Sequence, residues 1–270
     1  MCVIINIENG DFPKFDTLKS AELLNSHGGS IAWVENNKIN YQKGINAKTI
    51  NKIIEDRLKP NNVKIAIIHF RIASVGNVNK KLCHPFQISN KVNLDLIVED
   101  SKFDLLFHNG TVSDWQNILI KFMQGNKLRI PKGELSDSRI MAFLINHNGH
   151  EFLKKLAENN KFSILTKNGI IKYGKWVKVD NVECSNNYFI NNFNYYDENW
   201  WQKSKYNKNA IIKSDKLDQL EEKYDLIADK VNQKSDYSLS KNYQVVKHDY
   251  FGDLSLKSRP YQERFNDWDY

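Results

Sequence analysis

Cys2 is the side chain whose position most invites chemistry, because a cysteine at the second position can become the first residue of the mature chain. Trimming of Met1, which a small following side chain permits, would leave Cys2 with a free α-amine beside its thiol. A free thiol with a pKa near 8.5 is only a few per cent ionised at neutral pH and needs a base to attack an amide well. An α-amine, with a reference pKa of about 7.7–8.0, is poised to take that proton directly or through water. One residue would then carry both nucleophile and base. The plainer reading is an ordinary cysteine near a ragged terminus, or one buried as a small apolar residue.

Five further segments hold residue types that could serve such a nucleophile: SHGGSIAWV at 26–34, HFRIASVG at 69–76 with CHPF at 83–86, FHNGTVSDW at 107–115, SDSRI at 136–140 and ECSNNYF at 183–189. Each is weak alone. Asn109-Gly110 reads equally as a turn after a strand. Arg71 could be a surface ion-pair partner, and Asp137 a helix N-terminal charge with Ser136 as its cap. Behind a second-position cysteine and in this order, they resemble the glutaminase domain of class II glutamine amidotransferases. These are N-terminal-nucleophile hydrolases that include the amide-donor halves of glucosamine-6-phosphate synthase and asparagine synthetase. The resemblance covers most of residues 2–190.

That resemblance implies roles for particular residues. Cys2 would attack the side-chain amide of L-glutamine and form a γ-glutamyl thioester. The tetrahedral oxyanion needs donors where its charge develops, and Asn109 and Gly110 match the side-chain amide and the N–H that supply them. Arg71 matches the cation for the α-carboxylate, a role that suits a planar guanidinium fork. Asp137 matches the anion for the α-ammonium, and Ser74 belongs to the same substrate-binding set. Gly28 and Gly29 resemble a turn that approaches the nucleophile closely, while His84-Pro85-Phe86 and Asn186-Asn187 resemble structural elements. Glutamate and ammonia are the products, no cofactor is required, and an ammonia-accepting synthase is the implied partner. Three departures stand out: Val3 for the glycine after the nucleophile, Ile72 for a tryptophan, and Val75 for a histidine. The last two fall in the loop that closes over glutamine in the family.

The elements that must position these residues read as alternating strands and helices up to about residue 190. Short runs rich in Ile, Val or Phe mark strands at Val3–Ile7, Ser30–Val34, Lys64–Phe70, Leu105–His108 and Lys161–Leu165. Helical spacing marks Thr17–Asn25, Ala47–Leu58, Val112–Met123 and Asp137–Ile145. The pattern reads as layered α+β, and the resemblance specifies a four-layer αββα sandwich of the N-terminal-nucleophile hydrolase type with a C-terminal extension. Residues 2–190 form the expected glutaminase domain and residues 191–270 the extension. The extension is aromatic and charged, with one helix expected over 215–231. It holds 15 of the 32 aromatic residues, which argues for docking on the first domain or a partner rather than a free tail.

Composition bounds the rest. The formal charge of +7 is spread over many lysines instead of forming an aromatic-interleaved stripe, so nucleic acid is not expected as the primary ligand. No apolar run approaches the roughly 18 residues of a membrane span, and no signal peptide is evident, so a cytoplasmic location and no membrane partner are expected. Cys2, Cys83 and Cys184 lack CxxC spacing, and His69, His84 and His108 with Cys83 fit no familiar ligand pattern, so no metal is expected. Two other readings stay open: an N-terminal-nucleophile amidase or peptidase acting on another linear amide, and an inactive binding or assembly protein of the same fold.

Overall fold

The computed structural model describes residues 2–74, 77–124 and 128–190. The extension over 191–270, with its expected helix, and Val75 lie outside the described residues. In chain order the elements are β1 (Val3–Ile7), α1 (Phe15–Leu24), β2 (Gly29–Glu35), β3 (Lys38–Ile45) and α2 (Ala47–Ile53), which runs into a π-helical turn over Ile54–Leu58. Then come β4 (Ala66–Phe70), β5 (Phe86–Gln87), β6 (Ile97–Ser101), β7 (Leu105–Asn109), α3 (Trp115–Gln124) and α4 (Asp137–Asn148). The order closes with α5 (Leu153–Leu156), β8 (Lys161–Thr166), β9 (Gly169–Tyr173), β10 (Val177–Val179) and β11 (Val182–Cys184).

These strands form two antiparallel sheets, one in the order β10-β11-β1-β4-β2-β3-β6 and one in the order β5-β7-β8-β9. Side chains alternate across a strand, so each strand feeds two layers. Val3, Ile5 and Ile7 of β1, with Ile68 and Phe70 of β4, pack on Leu18 and Ala21 of α1 and Ile50 of α2. Ile4 and Ile67 on the opposite face meet Ala32, Tyr41, Leu105, Phe107 and Leu165 between the two sheets. On the far face of the smaller sheet, α4 packs against β5 and β7, with α3 beside it. Helix, sheet, sheet, helix is the four-layer αββα order expected from the sequence.

Local chemistry explains the boundaries. Asn36 and Asn37 both take left-handed φ values, 50° and 58°, and so close the β2–β3 hairpin with the residue type that tolerates them best after glycine. Asn46 caps α2 through its side chain and Thr49 N–H at 2.8 Å, and Ser136 caps α4 through Arg139 N–H at 3.2 Å. Strand β3 was not expected from the sequence. In KINYQKGI the alternating positions Ile39, Tyr41 and Lys43 are all buried, and a buried lysine reads as a solvent position in any hydropathy pattern.

Candidate active site

Cys2 stands at the start of β1, on the side that faces the second sheet. Because β1 pairs with β4 with Val3 opposite Phe70, the chain leaving β4 passes beside the sulfur. Ile72 N–H donates to Cys2 Sγ at 3.4 Å, and the thiol can donate to the Ile72 carbonyl at 3.3 Å. Asn186 Nδ2 donates to the Cys2 carbonyl at 2.8 Å, and Ser185 brackets Ile4, its N–H reaching the Ile4 carbonyl and its Oγ accepting from Ile4 N–H, both at 2.9 Å. The nucleophile candidate is therefore held from both neighbouring strands. Burial pushes its thiol up from the ordinary range, opposed by the Ile72 N–H and the Arg71 charge. A thiol raised this way stays protonated at neutral pH without a base.

Cys2 lines a small pocket, and Arg71, Ser74, Gly110 and Asp137 share its walls. These residues lie up to 135 positions from Cys2 in sequence and meet where β1, β4, β7 and α4 end on one side of the sandwich. Arg71 is 4% exposed and donates from Nη1 to the Asn77 carbonyl at 3.0 Å. Its segment is anchored by three bonds to the SHGGS turn: Arg71 N–H to the Gly28 carbonyl, His27 N–H to the Arg71 carbonyl, and Ala73 N–H to His27 Nδ1, all at 2.9 Å. Burial and the Arg71 charge lower the His27 pKa, which keeps Nδ1 available as an acceptor. Ser74 is exposed at the pocket wall and shares a hydroxyl bond with Thr111 at 2.9 Å.

Asp137, at the first position of α4, is buried. Its Oδ1 accepts from Ser138 N–H at 2.8 Å and its Oδ2 from Val112 N–H at 3.0 Å. The helix N-terminus adds favourable field for the carboxylate. A carboxylate offers about four lone-pair sites, so it can still accept from a bound cation. Arg139, which sequence reasoning passed over, fixes this corner: it is 1% exposed, and its guanidinium donates to the carbonyls of Val92, Lys91, Lys132 and Glu134.

Gly110 takes φ +146°, and a Cβ there would lie 2.2 Å from Asn160 Oδ1. Asn160 in turn defines a buried chain. Its Nδ2 donates to the Leu156 carbonyl at 2.9 Å, which turns Oδ1 toward His108 Nε2 at 2.9 Å. His108 thus carries its proton on Nε2 and accepts at Nδ1 from Ser138 Oγ, 2.9 Å away. Burial lowers its pKa, so the 3.9 Å approach of Nδ1 to Asp137 Oδ2 is not an ion pair at neutral pH.

Other expected residues lie differently. Asn109 ends β7 beside the pocket, but its Nδ2 donates to Ser185 Oγ at 2.7 Å, which leaves one amide hydrogen for any other acceptor, and its buried Oδ1 has no hydrogen-bond partner. Gly28, at φ +115°, approaches Cys83 rather than Cys2, since a Cβ there would lie 2.7 Å from Cys83 Sγ. Gly29 packs on Ile45 and Phe70. Val3 is buried toward the helix layer within an extended strand. Among the described residues, no three His, Cys, Asp or Glu side chains gather as metal ligands, and no helix is long and apolar enough to cross a membrane.

No family model and no curated protein matches this chain. Solved structures with a similar chain path include the allosteric regulatory enzyme of purine biosynthesis, at 18% identity and a TM-score of 0.46, covering 68% of this chain and 41% of that one. Glutamine phosphoribosylpyrophosphate (PRPP) amidotransferase from B. subtilis, complexed with ADP and GMP, is similar at 17% identity and a TM-score of 0.44, with the same two coverages. The chain spans about two fifths of the length of each.

Proposed function

We propose that this chain is a glutamine amidohydrolase of the class II amidotransferase type, with Cys2 as N-terminal nucleophile. The observation that carries this reading is one pocket that brings a thiol, a buried guanidinium and a buried carboxylate together from three distant segments. A free amino acid presents a carboxylate and an ammonium a fixed distance from its side chain. Arg71 and Asp137 supply the complementary pair of charges, so a free amino-acid zwitterion is a better match than a residue inside a peptide, whose α-amine and α-carboxyl are both tied up as amides.

In the proposed reaction the Cys2 α-amine, exposed by removal of Met1, takes the thiol proton as sulfur attacks the glutamine amide carbon. The Gly110 N–H and the remaining Asn109 amide hydrogen receive the oxyanion. Collapse breaks the C–N bond, the amine returns its proton to the departing nitrogen, and ammonia leaves a γ-glutamyl thioester on Cys2. Water then releases glutamate. Ammonia passes to a separate acceptor enzyme, or the chain acts as a simple glutaminase.

Competition between substrates tests the reading. Purified protein lacking Met1 should release ammonia from glutamine and leave peptides and unsubstituted linear amides untouched. Arg71→Ala should erase that preference, on the order of 10²-fold in kcat/KM, because a charged hydrogen-bonded partner is lost. Equal rates on glutamine and on an amide without the amino-acid head would support the other N-terminal-nucleophile reading.

A further inference from the structure

Two consecutive peptide planes are strung between Cys2 and a residue the mechanism above leaves unused, His27. The first plane joins Arg71 to Ile72. Its N–H donates to Cys2 Sγ at 3.4 Å, and its carbonyl, on the opposite edge, accepts from His27 N–H at 2.9 Å. The second plane joins Ile72 to Ala73. Its carbonyl accepts from the Cys2 thiol at 3.3 Å, and its N–H donates to His27 Nδ1 at 2.9 Å. A trans peptide points its C=O and N–H in opposite directions and resists twisting, so whatever holds one edge sets the aim of the other. Both backbone groups that meet the sulfur are therefore aimed from His27.

His27 is itself fixed. Gly28 continues the β2–β4 ladder beyond the Gly29–Phe70 pair by accepting from Arg71 N–H at 2.9 Å, and the Cys83 thiol donates to the His27 carbonyl at 3.6 Å. Burial and the Arg71 charge lower the His27 pKa, so at neutral pH the ring is neutral, with its proton on Nε2 and a lone pair on Nδ1 facing Ala73 N–H. The two planes are held by different groups. Backbone of His27 grips the first, and that grip survives a change of side chain. Only the ring grips the second.

We propose that the His27 ring is a positioning residue for the nucleophile: through the Ile72–Ala73 peptide it fixes where the Cys2 sulfur points before attack. This rests on the glutaminase reading and adds to it the group that aims the thiol. Arg71 keeps its place without the ring, because the Gly28 carbonyl and His27 N–H hold its backbone. Loss of the ring therefore slows attack by sulfur and leaves the grip on the amino-acid head intact.

Three variants of the full chain separate aim from support. His27→Leu keeps bulk without an acceptor, His27→Asn places a carbonyl oxygen as many bonds from the backbone as Nδ1, and His27→Gln places it one bond farther out. In protein lacking Met1, kcat on glutamine should fall about 10-fold in the Leu and Gln variants with KM within about twofold of wild type, and His27→Asn should recover most of the rate. A second readout needs no glutaminase activity. In protein retaining Met1, the pH midpoint for iodoacetamide alkylation of Cys2 should fall by about half a unit in the Leu and Gln variants and stay at the wild-type value in His27→Asn. The fall follows because the Ile72 carbonyl, which favours the protonated thiol, is released while the first plane still donates to sulfur. Should His27→Leu not fold, the contrast of Asn with Gln carries the test. Asn and Gln variants that behave alike, a joint change in KM and kcat, or midpoints that do not fall overturn the positioning role while the glutaminase reading stands. Wild-type protein that releases no ammonia from glutamine overturns the glutaminase reading, and the alkylation midpoints then decide by themselves whether the ring aims the sulfur.

Discussion

Ile72 N–H points at Cys2 Sγ across 3.4 Å, although seventy residues separate the two in sequence. This contact and the Arg71 charge favour the thiolate, while burial opposes it and dominates, so the thiol sits above its ordinary range. In protein that retains Met1, alkylation of Cys2 by iodoacetamide should therefore rise with pH to a midpoint above the usual value of about 8.5. Cys184, pushed up to about 12 by burial and nearby carboxylates, should stay unmodified throughout. Peptide mapping across pH reads both. A Cys2 midpoint below 8 would mean that the backbone donor and the guanidinium outweigh burial.

Asp137 has two separable duties, as a helix-end anion and as a pocket wall. Asp137→Asn keeps the shape and one carbonyl oxygen but removes the charge. Stability should fall by about 1 kcal/mol through the lost helix-end interaction. If Asp137 holds the substrate ammonium as proposed, KM for glutamine should rise on the order of 10- to 100-fold with kcat little changed, because such a contact would be made alike in ground and transition states. Thermal melts and initial rates check the two effects independently. A large fall in kcat at unchanged KM would place Asp137 in the chemistry instead.

Gly110 and Asn160 should be energetically coupled. Gly110→Ala forces a Cβ against Asn160 Oδ1 at a backbone conformation that L side chains rarely adopt. It should cost about 2–4 kcal/mol from overpacking and strain together. Asn160→Ala alone removes the acceptor of His108 Nε2 and should cost about 1–3 kcal/mol. The double variant should be less destabilised than the sum, since the second change removes the first one's obstacle. Urea unfolding of all four proteins gives the coupling, and strict additivity would contradict the contact.

Lys43 gives the fold a pH dependence. Its ammonium is buried between the Tyr41 and Phe86 rings with the Pro85 carbonyl at 3.2 Å, and burial brings its pKa down to about 7, with Arg139 lowering it and Cys83 and Asp95 raising it. Unfolded, it titrates near 10.4. Between those values the unfolded chain holds a proton that the native chain lacks, so this group makes stability rise with pH at up to about 1.4 kcal/mol per unit. Below about 7 the full penalty applies. Lys43→Met should stabilise the protein near pH 7 by on the order of 1–4 kcal/mol, and the gain should shrink toward pH 10. Denaturant midpoints at three pH values read the trend, and a constant difference would contradict it.

Much of this arrangement was legible in the sequence because it rests on local signals. β1 spans the five residues expected, and α4 begins at the expected Asp137 because Ser136 is a strong cap. Strands β6, β10 and β11 were hidden: they are short or at edges, and the exposed positions of β6 are Ile97 and Glu99, with a second carboxylate, Asp100, next in the strand. The pocket's charged residues were visible as motifs. Its supports were not, since Arg139 gripping four carbonyls, Asn160 orienting His108 and Ser185 bracketing Ile4 are contacts between distant segments with no sequence period. The approach of Gly28 to Cys83 instead of Cys2 follows from the same cause: a glycine records that something comes near, and only the packing says what.

Everything chemical depends on the sulfur of Cys2 being the atom that meets glutamine. Protein with Met1 removed, verified by intact mass, should be incubated with a glutamine-shaped diazoketone, digested and mapped. A single adduct on Cys2, blocked by excess glutamine and absent when Met1 is retained, is the expected result. An adduct on Cys83 or Cys184 with Cys2 unmodified would contradict it.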